Sequence, residues 1–271
     1  MTLHGMIIGM ETSLPLSLRY NSLGYAVILP GDRPSQAVDA LIAADYPEEF
    51  CLSPSFAPPF VAELMAAGFL VMSAKILGPA GAGAAGKSGG GPARRQPFLP
   101  YILLPKYHPE RSVLFFPDLH VGKTPKRLLP RYELRADAEF DRILSRCAEV
   151  HGGDWLTPPL RRTIRAIRNL ANAPVRPCSF GLYREGVLRA GEFGVMAGGI
   201  YTSYSGYCDE NSAGTVQMIL TALYLRDRGF ACWDLGMPLA YKEKLGARLL
   251  DRGGFRELFR KAAAMETGTV F

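Results

Sequence analysis

The chain has 271 residues, of which 48% are hydrophobic and 21% charged, and a formal net charge of +6. That length buries a sizeable core, in one large domain or two unequal ones, and the composition is that of an ordinary globular protein. No run of about 18 apolar residues occurs, so no spanning helix is expected. The five cysteines are scattered without a CxxC pair, and the four histidines show no ligand spacing, which argues against a disulfide framework or a metal site and for a reducing compartment. The N-terminus lacks a basic n-region, and its apolar piece, Met6 to Met10, is too short for a signal peptide.

In chain order, Tyr25 to Leu29 reads as strand, Ser35 to Ala44 as helix, and Pro59 to Gly68 as a second helix that Pro58-Pro59 opens and Gly68 closes. Gly78 to Arg95 is a low-complexity Gly/Ala segment that reads as a flexible surface insertion. It contains a formal phosphate-loop match, Gly81 to Ser88. Gly89-Gly-Gly-Pro92 follows, cannot start a helix, and removes the amide cradle such a loop needs. Ser112 to Phe116 reads as strand, Ala138 to Val150 and Pro159 to Leu170 as helices. Cys178 to Tyr183, Val187 to Phe193 and Val195 to Tyr204 read as consecutive strands, with a tight hairpin at Arg184-Glu-Gly186. Ser212 is placed to cap a helix over Ala213 to Asp227, closed by Gly229. A buried strand, Phe230 to Trp233, then ends on Asp234 beside Gly236, and a basic helix spans Lys242 to Leu250. The whole is an α+β pattern.

Two features carry chemistry. A carboxylate ending a buried strand next to a glycine is a place where a ligand can approach Asp234, although an acid there also serves as a turn or cap residue. The charge is uneven: Val121 to Ala190 holds 14 Lys/Arg against 7 Asp/Glu. Such a patch is either a footprint for a polyanion or the solvated face of a basic protein.

Several blocks, in order, resemble the leucyl/phenylalanyl-tRNA–protein transferases. Arg111-Ser-Val-Leu114 with His120, Phe140 to Ala148, Asp154-Trp-Leu156, Ser179 to Gly191, Glu210-Asn-Ser-Ala213 and Asp234 to Ala247 each look like a family block. The resemblance implies a GNAT-like (N-acetyltransferase-like) catalytic domain over 99–271, behind a small N-terminal α/β domain at 1–74 and the insertion at 75–98. It implies transfer of a Leu- or Phe-like aminoacyl group from tRNA to the N-terminal amine of a protein, which marks that protein for degradation. The partners are then an aminoacyl-tRNA, by its acceptor stem and 3′ end, and a protein N-terminus, in the cytoplasm. An ester becoming an amide runs downhill, so no cofactor, metal or membrane is called for. The chain departs from the family where its catalytic glutamine falls on Gly236, its G-E-S glutamate on Ser203, and its F-P-W tryptophan on Met72. It reads as a divergent branch, with a eukaryotic origin open.

Asp234 is the first candidate for orienting or deprotonating the amine and Glu192 the second; either is alternatively a structural acid. Trp155 offers a stacking surface for the terminal adenine or is a core residue. Arg161, Arg165 and Arg168 share a helix face suited to acceptor-stem phosphates, extended by Lys123, Lys126, Arg127 and Arg131. Met72, Tyr201, Tyr204, Gly236, Met237 and Tyr241 are the expected lining of the aminoacyl or acceptor pocket. Two other readings stand beside this one. The first is a tRNA- or peptide-binding protein that has lost catalysis. The second is an acetyl-CoA-dependent N-acetyltransferase, for which Arg226 to Ala231 matches a pyrophosphate loop but follows a helix rather than opening one.

Overall fold

A computed structural model describes residues 18–76, 101–151 and 153–266. The expected Gly/Ala-rich insertion and the phosphate-loop match lie outside these. The elements run β1 (Arg19–Tyr20), β2 (Ala26–Val27), α1 (Pro34–Ala43), α2 (Pro58–Ala66), β3 (Leu70–Lys75), β4 (Tyr101–Lys106) and β5 (Glu110–Leu114). They continue with α3 (Lys123–Leu128), β6 (Glu133–Ala136), α4 (Phe140–Val150), α5 (Pro158–Arg168), β7 (Arg176–Arg184), β8 (Val187–Ala197) and β9 (Ile200–Cys208). Last come α6 (Ala213–Asp227), β10 (Cys232–Gly236), α7 (Ala240–Lys244), β11 (Arg248–Asp251) and α8 (Arg252–Ala263).

The architecture is mixed α/β. A seven-stranded sheet in the order β11-β5-β10-β9-β8-β7-β6 is covered by helices on both faces. Its neighbours are antiparallel except β9 and β10, which run parallel because α6 carries the chain across between them. On one face Ile143, Ile164 and Phe193 pack with Val38, Phe60 and Val71 from the first part of the chain and Phe255 and Phe259 from α8. On the other, Ile219, Ala222 and Leu225 of α6 pack on Phe180, Tyr201 and Trp233. β3 and β4 pair from Leu70↔Lys106 to Lys75↔Tyr101, so the chain on either side of residues 77–100 shares one hairpin.

The β7–β8 hairpin closes through Glu185 and Gly186, both with positive φ (54° and 75°), the two-residue turn whose twist matches the strands. Three expectations change. β8 does not end before Gly194 but continues to Ala197. Gly194 sits at a bulge where a Cβ would come within 2.3 Å of Thr202 O, so glycine here permits close strand approach rather than breaking the strand. Ser212 does not cap α6 by its side chain; it takes a left-handed conformation at φ 67° instead. The helix expected over Lys242 to Leu250 stops at Lys244, because Gly246 turns the chain at φ +106° and β11 then pairs with β5.

Gly246 also lies under the loop after β5, where an added Cβ would stand 2.0 Å from Asp118 O. Gly246→Ala is therefore expected to destabilise the fold by about 2 kcal/mol or more, from backbone strain plus the clash, read as a lower urea midpoint at unchanged m-value.

Candidate functional site

The site lies where two parallel strands separate. β9 and β10 pair only through Ile200↔Cys232, Tyr201↔Trp233 and Thr202↔Asp234. Beyond Thr202, β9 runs on to Cys208, while β10 bulges between Asp234 and Gly236 and turns at Gly236, φ +77°. The gap, walled by the first turns of α6 and by α7, is a cleft of about 520 Å³. Glu192, Ser203, Tyr204, Gln217, Tyr241 and Lys242 line it, with Tyr207, Met218 and Leu235 as apolar wall.

Glu192 sits on β8, 5% exposed, at the inner end of this cleft. Ser203 Oγ donates to its Oε2 at 3.1 Å, and Trp233 Nε1 donates to Ser203 Oγ at 2.8 Å. Oε1 lacks a partner in full hydrogen-bond geometry, but the Tyr201 hydroxyl and the Gln217 amide stand close enough to the carboxyl to favour its charged form. Burial pushes the Glu192 pKa up to about 7, against partial relief from Ser203, Gln217, Tyr201 and the Lys242 charge. The result is a desolvated carboxyl poised near neutrality at a cleft wall. Ser203, on which the resemblance places a glutamate, is thus hydrogen-bonded to a carboxylate carried by the neighbouring strand β8.

Asp234 faces the other way. Trp233 and Leu235 point to the α6 side, and strand alternation turns Asp234 to the opposite one, where it is fully buried. Arg111 Nε donates to its Oδ1 at 3.0 Å and Nη2 to its Oδ2 at 2.7 Å, and Gly236 N donates to Oδ1 at 2.9 Å. Arg111 is itself buried, stacked 4.5 Å from the Phe255 ring centroid, with Nη2 also donating to Gly68 O. With both oxygens bonded and no opening to the cleft, Asp234 is geometrically a strut that shapes the β10 bulge.

The other expected residues divide. Tyr204 and Tyr241 line the cleft; the Tyr204 hydroxyl accepts from Val71 N and donates to Phe69 O. Tyr201 is instead core, edge-on to Phe180. Met72 lies in β3, and neither it, Gly236 nor Met237 is among the described lining residues, although Met237 supplies a carbonyl to Lys242. Trp155 is half-buried, stacked on Phe193 at 6.4 Å and 13°. Arg165 is engaged by Asp141, and Arg168 by both oxygens of Asp137 and by Pro177 O, so α5 does not present a row of free cations. Arg161 keeps a buried Nε without a partner. Lys123, Lys126, Arg127 and Arg131 are exposed, with no carboxylate in ion-pair range among the described residues. Arg226 to Ala231 falls at the C-terminal end of α6, where carbonyls rather than amides face outward, so it is no pyrophosphate loop. Lys242 is, with Tyr207, Gln217 and Met218, among the lining residues that the sequence did not single out.

A family model described as leucyl/phenylalanyl-tRNA protein transferase matches residues 113–260, which hold every described residue of the cleft wall. A leucyl/phenylalanyl-tRNA–protein transferase from Pseudomonas aeruginosa (strain LESB58) is 27% identical over 158 residues, 56% of this chain and 67% of that protein. One from Azotobacter vinelandii is 27% identical over 54% of this chain and 66% of its own length. Among solved structures, FemX aligns over 89% of this chain and 80% of its own at 11% identity, with a TM-score of 0.43. With the family model matching more than half of its length, the chain belongs to the leucyl/phenylalanyl-tRNA–protein transferase family.

Proposed function

We propose that this chain moves an aminoacyl group from the 3′ ester of a tRNA to the N-terminal amine of a protein, on an N-acetyltransferase-like fold, with Glu192 as the base. The observation that carries the reading is the buried Glu192 carboxyl at the inner end of the cleft, its pKa pushed up to about 7 by burial. A free α-amine titrates near 8, so a base poised about one unit below it is well matched to carry its proton. The amine nitrogen adds to the ester carbonyl as its N–H proton passes to Glu192. The C–O bond then breaks, and the same proton goes to the departing 3′ oxygen. The bond exchange is downhill, so catalysis is mostly placement of amine and ester.

Tyr204, Tyr207 and Met218 form the apolar side of the cleft for an aminoacyl or acceptor side chain. Trp155 packs on Phe193, on the sheet face away from Glu192, and has no part in this reading. The free cations of α3, Lys123, Lys126 and Arg127, with Arg131, take the acceptor-stem phosphates that α5 was expected to take. The transferred residue marks its acceptor for degradation. A cytoplasmic place of action fits a tRNA donor and five free cysteines; among the described residues no helix is long and apolar enough to cross a membrane.

The test is a transfer assay with radiolabelled leucyl-, phenylalanyl- and other aminoacyl-tRNAs and peptides of varied N-terminal residue. Label reaching a peptide supports the reading. Salt-sensitive tRNA binding with no transfer from any donor sinks it and leaves a binding protein. In the same system, Lys126→Glu with Arg127→Glu is expected to weaken tRNA binding and flatten the log–log salt dependence by roughly 0.7–0.9 per lost phosphate contact, with the transfer rate at saturating tRNA kept.

A further inference from the structure

The cleft holds one lysine or arginine among its described lining residues, Lys242. It lies on α7 but points back to the end of β10, where its Nζ donates to Leu235 O at 2.5 Å and to Met237 O at 2.8 Å, the carbonyls on either side of Gly236. An ammonium has three N–H groups. The third meets no acceptor among the described residues, and no carboxylate lies in ion-pair range, although the side chain is only 6% exposed. Two carbonyls could be satisfied by any neutral donor. A desolvated cation that lines a cleft, held by two bonds with its third donor unmatched among the described residues, is an arrangement suited to charge that arrives with the substrate.

We propose that Lys242 is a second catalytic residue: its third N–H binds the carbonyl oxygen of the aminoacyl ester and stabilises the negative charge that gathers there as the amine adds. The inference rests on the transferase reading of the cleft. No proton leaves Lys242 in this step; the carbonyl π pair moves to the oxygen as the C–N bond forms and returns as the C–O bond breaks. Glu192 on β8 handles the proton and Lys242 on α7 the charge. The two groups sense each other across the cleft.

The charges that act on Lys242 are those of Asp234 of β10 and Arg111 of β5, both behind the strand, and Glu192 of β8, and the Tyr241 ring lies 5.7 Å from Nζ. Burial brings its pKa down to about 8; Asp234 and Glu192 oppose that and Arg111 adds to it. The ammonium is therefore charged at neutral pH and lost just above, which gives the reaction a falling alkaline limb.

The experiment is steady-state transfer by the full chain, with leucyl- or phenylalanyl-tRNA and an acceptor peptide, for wild type, Lys242→Met and Lys242→Gln. Lys242→Met is expected to lower kcat by about 10²–10³-fold, the effect of removing one such donor, with both KM values changed less than roughly threefold. Lys242→Gln keeps a neutral donor that can still meet the carbonyls; it is expected to retain intermediate kcat and to lose the falling limb near pH 8. Should the Met variant fail to fold, the Gln variant and the wild-type pH profile decide alone. Wild-type kcat in the variants, a loss confined to KM, or a wild-type profile without that limb would each overturn the inference while leaving the transferase reading in place. No transfer by wild type overturns both.

Discussion

Glu192→Gln is expected to cost the enzyme about 10²–10⁴-fold in transfer rate while making the folded chain more stable at pH 8. The two effects share a cause. Burial raises the Glu192 pKa from its ordinary 4.5 to about 7, so the folded chain holds a proton there that the unfolded chain has already released. Between pH 4.5 and 7 the native state binds more protons, and stability falls as pH rises. Below this window the group costs nothing through ionisation; above it the native state bears the whole burden of a desolvated carboxylate, on the order of 3 kcal/mol. Glutamine has nearly the same shape and no charge to bury, so the burden disappears and the melting temperature at pH 8 should rise above wild type, with little difference near pH 4. Transfer by wild type should climb through pH 7 and that rise should be missing from the variant's residual rate. A variant that keeps the wild-type rate removes Glu192 from the mechanism. One that loses rate and stability together makes it a structural acid.

The fold was readable because its long elements are strongly patterned. α4 and α5 carry apolar residues on one face, and the β7–β8 turn carries Glu185-Gly186, which needs positive φ at both positions. Which way side chains point was harder to read. Trp233, Asp234 and Leu235 are all buried, so β10 shows no inside-outside alternation to tell which face its acid takes. The arginines of α5 do share a helix, but the acids that occupy them, Asp137 and Asp141, sit on the turn before α4 and on α4 itself, a pairing that exists only once the helices have packed. Glycine misled at Gly194, where the same lack of a side chain that ends strands elsewhere admits Tyr201 and Thr202 to close range. Lys242, between Tyr241 and Glu243 in a charged stretch, looks like solvated surface; only the short α7 and the bulge of β10 turn it inward.

Asp234→Asn is expected to destabilise the fold strongly rather than disable the chemistry of a folded enzyme. Asp234 and Arg111 are 0% and 1% exposed and joined by two hydrogen bonds. Removing one charge leaves the other buried without a counter-ion, a change that costs about 3–5 kcal/mol. That is a sizeable share of the roughly 5–15 kcal/mol that holds a typical domain folded. An asparagine still offers an oxygen to Gly236 N but no charge to the guanidinium. Urea denaturation should therefore show the full loss, and transfer per folded molecule should fall far less than in Glu192→Gln. Were Asp234 the base, the result would invert, with stability nearly kept and transfer abolished. The double change Arg111→Leu with Asp234→Leu separates the pair's charge from its position. Replacing a buried ion pair with apolar side chains is often neutral or stabilising, so the double variant should be more stable than Asp234→Asn. Its transfer rate should stay below wild type all the same, because Gly236 N loses its acceptor. The bulge that Gly236 closes carries the Leu235 and Met237 carbonyls on which Lys242 is held.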